Sequence, residues 1–205
     1  MTEHSSHSGS EHSGSWTTFF AMIATATAVM FVLMHQLVYE GSHLTFSLNR
    51  LMASLVSGAS MVAIMLAFMW KMYGDATKKW MVLVGAAIAF VGLLVINRQQ
   101  VLIGDEQFMQ SMIPHHSIAI NNARKGDISD PRVRKLADDI IKAQVKEIAM
   151  MKLLLEDIER NGKQGDGTPI PPRTAELTPK LLDEARKALE KPVTPEVRDN
   201  VEVGE

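Results

Sequence analysis

Three long apolar stretches near the start of the chain limit how it can fold. They cover residues 16–38, 51–70 and 80–96, and none contains Asp, Glu, Lys or Arg. An α-helix rises about 1.5 Å per residue, so about 20 such residues cross the roughly 30 Å hydrocarbon core of a bilayer. Trp and Tyr stand at the ends of these stretches, as at a membrane interface. The pattern predicts a membrane domain of three transmembrane helices at 16–98, the alternative being a buried soluble bundle.

The basic residues between the stretches predict the orientation of this membrane domain. Residues 71–79 contain three lysines, whereas residues 39–50 contain a single arginine. Loops rich in Lys and Arg stay on the cytoplasmic side, so we expect a cytoplasmic N-terminus. Everything after residue 96 is then expected outside the cytoplasm, with the chain in a bacterial inner (plasma) membrane.

Composition excludes several classes of function. The net charge is −2 and no DNA- or RNA-binding motif is present, so nucleic acid is not an expected partner. The chain has no Cys, which excludes disulfides, Fe–S clusters and Cys-based zinc sites. It has 14 Met, whose thioethers fill apolar cores and are also soft ligands for Cu(I).

Motifs for catalysis are missing from the sequence. No Ser nucleophile has a base at a recognisable spacing, and no glycine-rich phosphate loop is present. The paired Glu-x-x-His motifs of di-iron bundles and the His-Glu-x-x-His motif of zinc proteases are also missing. We therefore predict no catalytic or organic-cofactor residues and no enzyme, with a metal oxidase as the alternative.

Low-complexity segments flank the two predicted domains. Residues 1–15 are rich in Ser, Gly and His and are expected to be a disordered tail, although their histidines could bind a divalent metal weakly. Residues 161–205 contain a Gly/Pro linker and then a short amphipathic helix that begins near Pro179. Between them, residues 105–160 are predicted to form a separate metal-binding domain.

Capping signals divide that domain into two helices. Asp105 is a candidate N-cap for the first, and Gly126 is expected to end it in the left-handed conformation. Asp130 followed by Pro131 marks the start of the second helix, and Gly162 marks its end. Because the loop between them is only about five residues long, the two helices are expected to form an antiparallel hairpin.

The first of these helices contains the only adjacent pair of histidines, His115 and His116. At 100° per residue, His116 shares the apolar face with Met109 and Met112, and His115 lies at its edge. Met112 is one turn before both histidines, so the three side chains can meet at one metal ion. Imidazoles with thioethers suit Cu(I), whereas added carboxylates or water suit Cu(II) or Zn(II).

Two further features complete this candidate site. Pro114 lacks an N–H, so it should kink the helix or expose the carbonyl of Gln110 beside the histidines. On the second helix, Glu147, Met150 and Met151 are the nearest candidates for additional ligands, because antiparallel packing places the middle of one helix opposite the middle of the other.

The membrane domain contributes weaker candidates. His35 is the one ionisable residue within an apolar stretch, and His43 lies on the same predicted side as the histidine pair. Met61, Met65 and Met69 recur on one face of the second stretch. They are interpreted as ordinary packing, with a ladder that passes Cu(I) as the alternative.

The hairpin resembles a known family. Its core M-I-P-H-H-x-x-A-I followed by Q-x-x-E-I-x-x-M is similar to the family called domain of unknown function 305, over about residues 105–156. The matching positions are Asp105, Phe108, Met112, Ile113, Pro114, His115, His116, Ala119 and Ala123, then Leu136, Ala137, Ile140, Ile141, Gln144, Glu147, Ile148 and Met151. The resemblance implies a ferritin-like helical fold and kinship with soluble periplasmic proteins that bind copper.

The resemblance also implies a set of ligands: His115, His116, Met112 and Met151. The sequence departs from the family at Asn122, where Met is usual, and at Leu154, where Trp is usual. The loss of a Met leaves a site dominated by histidine, or one that takes ligands from elsewhere.

We therefore predict an all-α protein in which a hairpin, completed to a four-helix bundle by dimerisation, follows three transmembrane helices. The alternative to dimerisation is that the hairpin packs against the extension of the third span. The expected function is extracytoplasmic binding of copper, Cu(I) or Cu(II), for homeostasis or tolerance, with zinc the weaker alternative. Other interpretations are a component of copper or cation transport, or a structural envelope protein without metal. The expected partners are the metal ion, the bilayer and a second copy of the chain.

Overall fold

A computed structural model describes residues 15–190 of the chain. Its six α-helices are α1 (Trp16–Leu33), α2 (Leu48–Phe68), α3 (Ala76–Arg98), α4 (Asp105–Lys125), α5 (Pro131–Asn161) and α6 (Pro179–Glu190). Short 3-10 turns lie at Gly41–His43 and Trp70–Met72, and residues 15–190 contain no β-strand. The all-α prediction is confirmed. The expected N-terminal tail falls outside the described residues except for Ser15, as do residues 191–205.

The three helices expected to span a membrane are present, with shifted ends. α1, α2 and α3 are each long and apolar enough to cross a bilayer. α1 stops at residue 33 instead of continuing to 38, because the chain turns there and the carbonyl of Met34 accepts a hydrogen bond from Arg50 at 2.7 Å. α2 and α3 begin before the apolar residues, at caps formed by the side chains of Ser47 and Asp75.

A small apolar core joins these helices, with α2 packed against both α1 and α3. Its buried members are Phe19, Ile23, Val62, Leu66, Tyr73 and Ala86. Most of the other large apolar side chains on α1 and α3 are exposed, including Val32 and Ile88 at 67% and 69%. Without a lipid environment this surface would be costly, so it fits a protein that lies in a membrane.

The chain divides into two compact units, whose boundary in the sequence lies between His115 and His116. In the first unit, the beginning of α4 is tied to the loop after α1. The hydroxyl of Thr45 donates a 2.6 Å hydrogen bond to the carbonyl of Gln110. Pro114 has no N–H to donate to the Gln110 carbonyl, so this carbonyl is exposed to another donor, as predicted. Helix α4 continues through the proline as one helix.

In the second unit, α5 runs antiparallel to the end of α4, as predicted. Arg134 donates to the carbonyl of Ala123 at 2.7 Å, near the connecting loop. Asp130 caps α5, and its hydrogen bonds with the side chain and backbone of Arg132 lower the pKa of its carboxyl to about 2. Asn161 ends α5, and Gly162 follows it at a φ of 78°.

Two of the predicted helix ends were wrong in detail. Asp105 is the first residue within α4 rather than its cap, and the carbonyl of Gly104 accepts from Phe108 at 2.8 Å. Gly126 is not among the residues with positive φ. Instead its N–H continues the helical pattern to Asn122, and a Cβ at this position would approach that carbonyl to 3.0 Å. Close approach, rather than left-handed backbone, accounts for this glycine.

Candidate metal centre

Helix α4 presents the two histidines in different environments. Consecutive residues on an α-helix point about 100° apart, so the two side chains leave the helix in different directions. His115 is exposed, whereas the side chain of His116 is 12% exposed. This agrees with the predicted position of His116 on the apolar face and of His115 at its edge.

The second unit brings together one pair of predicted ligands. The Nε2 atom of His116 lies 2.8 Å from Oε2 of Glu147 on α5. The imidazole is largely buried, and the Glu147 side chain is 49% exposed. At this distance the two atoms are close enough to share a hydrogen bond, or to bind one metal ion together. The arrangement supplies one nitrogen and one oxygen donor at the surface of the hairpin.

Met151 is a buried thioether on α5. It follows Glu147 by one helical turn, and its side chain is only 8% exposed. Ile148, between them in sequence, is 3% exposed, so this part of α5 faces the interior of the hairpin. By contrast, the candidate Met150 is 50% exposed and points away from that interior.

The remaining predicted ligands on α4 belong to the first unit. Met109 is buried at 6% exposure and Met112 is half-buried. Ser111 was missed by the sequence interpretation. It lies one turn before His115 and is 5% exposed, and its hydroxyl oxygen has no hydrogen-bond partner among the described residues. The sequence alone does not show whether the hydroxyl of a serine on an apolar helix face will find a hydrogen-bond partner.

The two histidines of the membrane domain have local partners. Nδ1 of His35 lies 3.1 Å from the carbonyl of Phe31, and the two rings meet edge to face. Since α1 ends at residue 33, His35 is just beyond the helix rather than within a membrane span. His43 is 9% exposed, and its Nε2 lies 3.7 Å from Oε2 of Glu40.

The methionines of the second span take part in packing. Met61, Met65 and Met69 are partly buried against the apolar core of the three-helix domain. Their contacts are those of side chains that fill space between helices. A ladder that passes Cu(I) stays an alternative prediction.

The imidazole of His116 and the carboxylate of Glu147 supply two of the ligands that a soft or intermediate metal ion would need. Within residues 15–190, no group of three or more His, Asp or Glu side chains converges on one point. The nitrogen–oxygen pair of His116 and Glu147 is therefore the nucleus of the candidate site, and thioethers are the donors available to extend it. Such a mixed set suits copper better than magnesium or calcium, which prefer oxygen.

These features define a class: an α-helical protein with three membrane-spanning candidates and a hairpin that carries an imidazole–carboxylate pair. Residues 105–197 match the family model described as "Domain of unknown function (DUF305)". The match includes α4, α5 and α6, and the expected family is confirmed.

Part of the chain is also similar to a curated protein. An uncharacterized protein of Acanthamoeba polyphaga mimivirus is 40% identical over 68 residues, which is 32% of this chain. The chain spans 45% of the length of that relative. No solved structure matches the chain.

Proposed function

We propose that this protein binds copper at the hairpin of its C-terminal unit and holds it at a membrane surface. The observation that carries the proposal is the 2.8 Å contact between His116 and Glu147, with the buried Met151 one turn further along α5. His116, Glu147 and Met151 would hold the ion. Its affinity should fall in acid, since ligation requires a neutral imidazole and an ionised carboxylate.

Copper is favoured over other ions by the chemistry of these donors. An imidazole, a carboxylate and a thioether suit Cu(II) or Cu(I), whereas a structural zinc site usually has four nitrogen or sulfur ligands. Bound copper would be stored or transferred, because the hairpin offers ligands but no predicted catalytic group. His115, Met109, Met112, His35 and His43 remain predictions as ligands.

The three apolar helices provide the membrane anchor in this proposal. The distribution of lysine and arginine favours a cytoplasmic N-terminus and an extracytoplasmic hairpin, in a bacterial inner membrane. There the site would meet copper before it reaches the cytoplasm. Transport along Met61, Met65 and Met69 is not supported by their packing against the core.

The test is titration of the full chain in lipid nanodiscs with Cu(I), Cu(II) and, for comparison, Zn(II). His4, His7 and His12 are replaced by Ser in every sample, so that the N-terminal histidines cannot bind metal. His116→Ala and Glu147→Gln are each expected to weaken copper binding by at least about 10-fold, because loss of even an outer partner of a metal ligand costs that much.

Glu156→Gln is the matched control, because Glu156 is a carboxylate of similar exposure on α5 whose nearest ion partner is Arg160. It should leave the copper affinity unchanged. Equal affinity of the parent chain and of a variant that lacks both His116 and Glu147 would refute the proposed site. His115→Ala, measured alongside, tests the ligand that rests on sequence alone.

A further inference from the structure

Helix α5 carries a second apolar face in addition to the one that packs in the hairpin. The first face includes the buried residues Ala137, Ile148 and Met151. The second face, the outer stripe, consists of exposed side chains spaced alternately three and four residues apart. Its apolar members are Val133, Leu136, Ile140, Ala143, Met150 and Leu154.

The outer stripe has the spacing of a helix–helix interface. Alternating steps of three and four residues are the a and d positions of a heptad repeat, which form the seam between two packed helices. The large side chains of the stripe are between 36% and 60% exposed, with Leu136 the most exposed. Glu147 fills the one polar position of the series. A continuous exposed stripe of this kind marks a surface that binds a partner.

The length of the outer stripe distinguishes between two helices that could cover it, α6 of the same chain and α5 of a second copy. Residues 133–154 extend about 33 Å along the helix at 1.5 Å per residue. α6 has 12 residues and is about 18 Å long, so it could cover only about half of the stripe. A second α5 has the required length and the same apolar pattern.

The polar position within the stripe selects the orientation of that second helix. In a parallel, in-register pair, Glu147 would face Glu147 of the other copy, and two carboxylates would repel each other inside the seam. In an antiparallel pair, Glu147 can lie opposite an apolar residue at the edge of the seam, where His116 holds its carboxylate. The antiparallel arrangement is therefore favoured.

Charges beside the stripe select the register. Arg132, Asp139 and Lys146 flank it at intervals of seven residues, on the side away from the hairpin interior. One antiparallel register places Asp139 of each copy beside Lys146 of the other, giving two ion pairs. A shift of one heptad in either direction would place Lys146 beside Lys146 or Asp139 beside Asp139, which are repulsive contacts.

We propose that two copies of this protein associate through the outer stripes of their α5 helices, antiparallel and with Asp139 opposite Lys146. The interface is isologous, as in most homodimers. In this register Val133 packs against Met150 of the other copy, and Ile140 packs against Ala143. Two hairpins then form a four-helix bundle, which gives each hairpin a larger core than it has alone.

The register also predicts how many metal ions the dimer holds, a deduction that rests on the proposed function. The two Glu147 residues lie 11 positions apart along the paired helices, or about 16 Å at 1.5 Å per residue. Each His116–Glu147 pair therefore stays with its own chain. We expect one copper ion per chain and two per dimer, instead of a single ion shared between chains.

The absence of Cys from the chain allows a direct test of the register. Full-length Val133→Cys and Met150→Cys chains are mixed in proteoliposomes and oxidised, and a disulfide between them is expected. Val145→Cys is the matched control, since Val145 is 53% exposed on α5 but lies off the stripe. The proposal would be overturned if the Val145 control cross-linked equally well, or if Ile140→Cys cross-linked with Met150→Cys instead. It would also be overturned if lipid protected the stripe in discs that hold one chain.

Exchanging the charges gives a second test that does not depend on cysteine chemistry. Lys146→Asp or Asp139→Lys alone should weaken dimerisation by about tenfold, measured by energy transfer between labelled chains during lipid dilution. The double exchange should restore it. Lys135→Gln is the control, because it removes the 3.0 Å ion pair of Asp139 within one chain and leaves the interface intact.

Copper titration of the same variants separates the two proposals. Chains that stay monomeric and still bind copper through His116 would overturn the dimer but leave the proposed function. Dimers with the expected cross-link that bind no copper would overturn the function and leave the interface.

Discussion

Thr45 is the clearest example of a residue whose role depends on a distant partner. Its hydroxyl supplies the hydrogen bond that the Gln110 carbonyl loses because Pro114 has no N–H. The sequence predicted the exposed carbonyl from the proline alone. It could not identify the donor, because the two residues are 65 positions apart and threonine in a loop has no distinctive pattern.

The first prediction concerns this hydrogen bond. Thr45→Val should destabilise the first unit by about 1–3 kcal/mol, since it leaves a partly buried carbonyl without a partner. Thr45→Ser keeps the hydroxyl and should therefore destabilise the first unit less than Thr45→Val does. Thermal unfolding in detergent, followed by circular dichroism, gives the comparison.

A double-mutant cycle tests the physical reason. Pro114→Ala restores an N–H that can donate to the Gln110 carbonyl. The loss of stability caused by Thr45→Val should therefore be clearly smaller in that background than in the parent chain. Equal costs in the two backgrounds would mean that the threonine stabilises the protein in some other way.

Among the helices of the membrane domain, α1 and α2 approach closely at Gly58. A Cβ at this position would overlap the Oγ1 atom of Thr27, which itself donates to the carbonyl of Ile23 at 2.8 Å. Small residues allow such close packing between helices in a membrane, where no hydrophobic force drives them together. A glycine within an apolar stretch is readily seen in the sequence, but the helix it faces is not.

The second prediction compares two glycines of the membrane helices. Gly58→Leu should destabilise the packing of α1 against α2 by about 1–3 kcal/mol through steric overlap. Gly92→Leu adds the same side chain to α3, where no atom lies within 4 Å, and should be tolerated. Unfolding of the two variants in the same micelles measures the difference. Similar losses at both positions would show that helix contact at Gly58 is not the cause.

The predicted orientation of the protein in the membrane can be tested without disturbing the fold. Gly41 lies in the loop after α1 and Gly74 in the loop after α2, and neither has an atom within 4 Å of an added Cβ. In this chain without Cys, Gly41→Cys should react in intact cells with a maleimide that cannot cross membranes. Gly74→Cys should react only after permeabilisation. The reverse pattern would place the hairpin in the cytoplasm.

Sequence signals alone were enough to predict the helical class, the three apolar helices, the hairpin with its cap at Asp130 and its end at Asn161, and the match to the family model. These follow from local signals: hydrophobic length, helical periodicity and capping residues all lie within a few positions of the structure that they specify.

The packing of the helices was needed to show which predicted ligands meet and which residues hold the helices in place. His116 is paired with Glu147, while His35 and His43 have partners near them in sequence. The partners of Gln110 and Gly58 likewise come from other helices or loops. Such contacts depend on the rotation and offset of one helix against another, which residue spacing within a single helix does not specify.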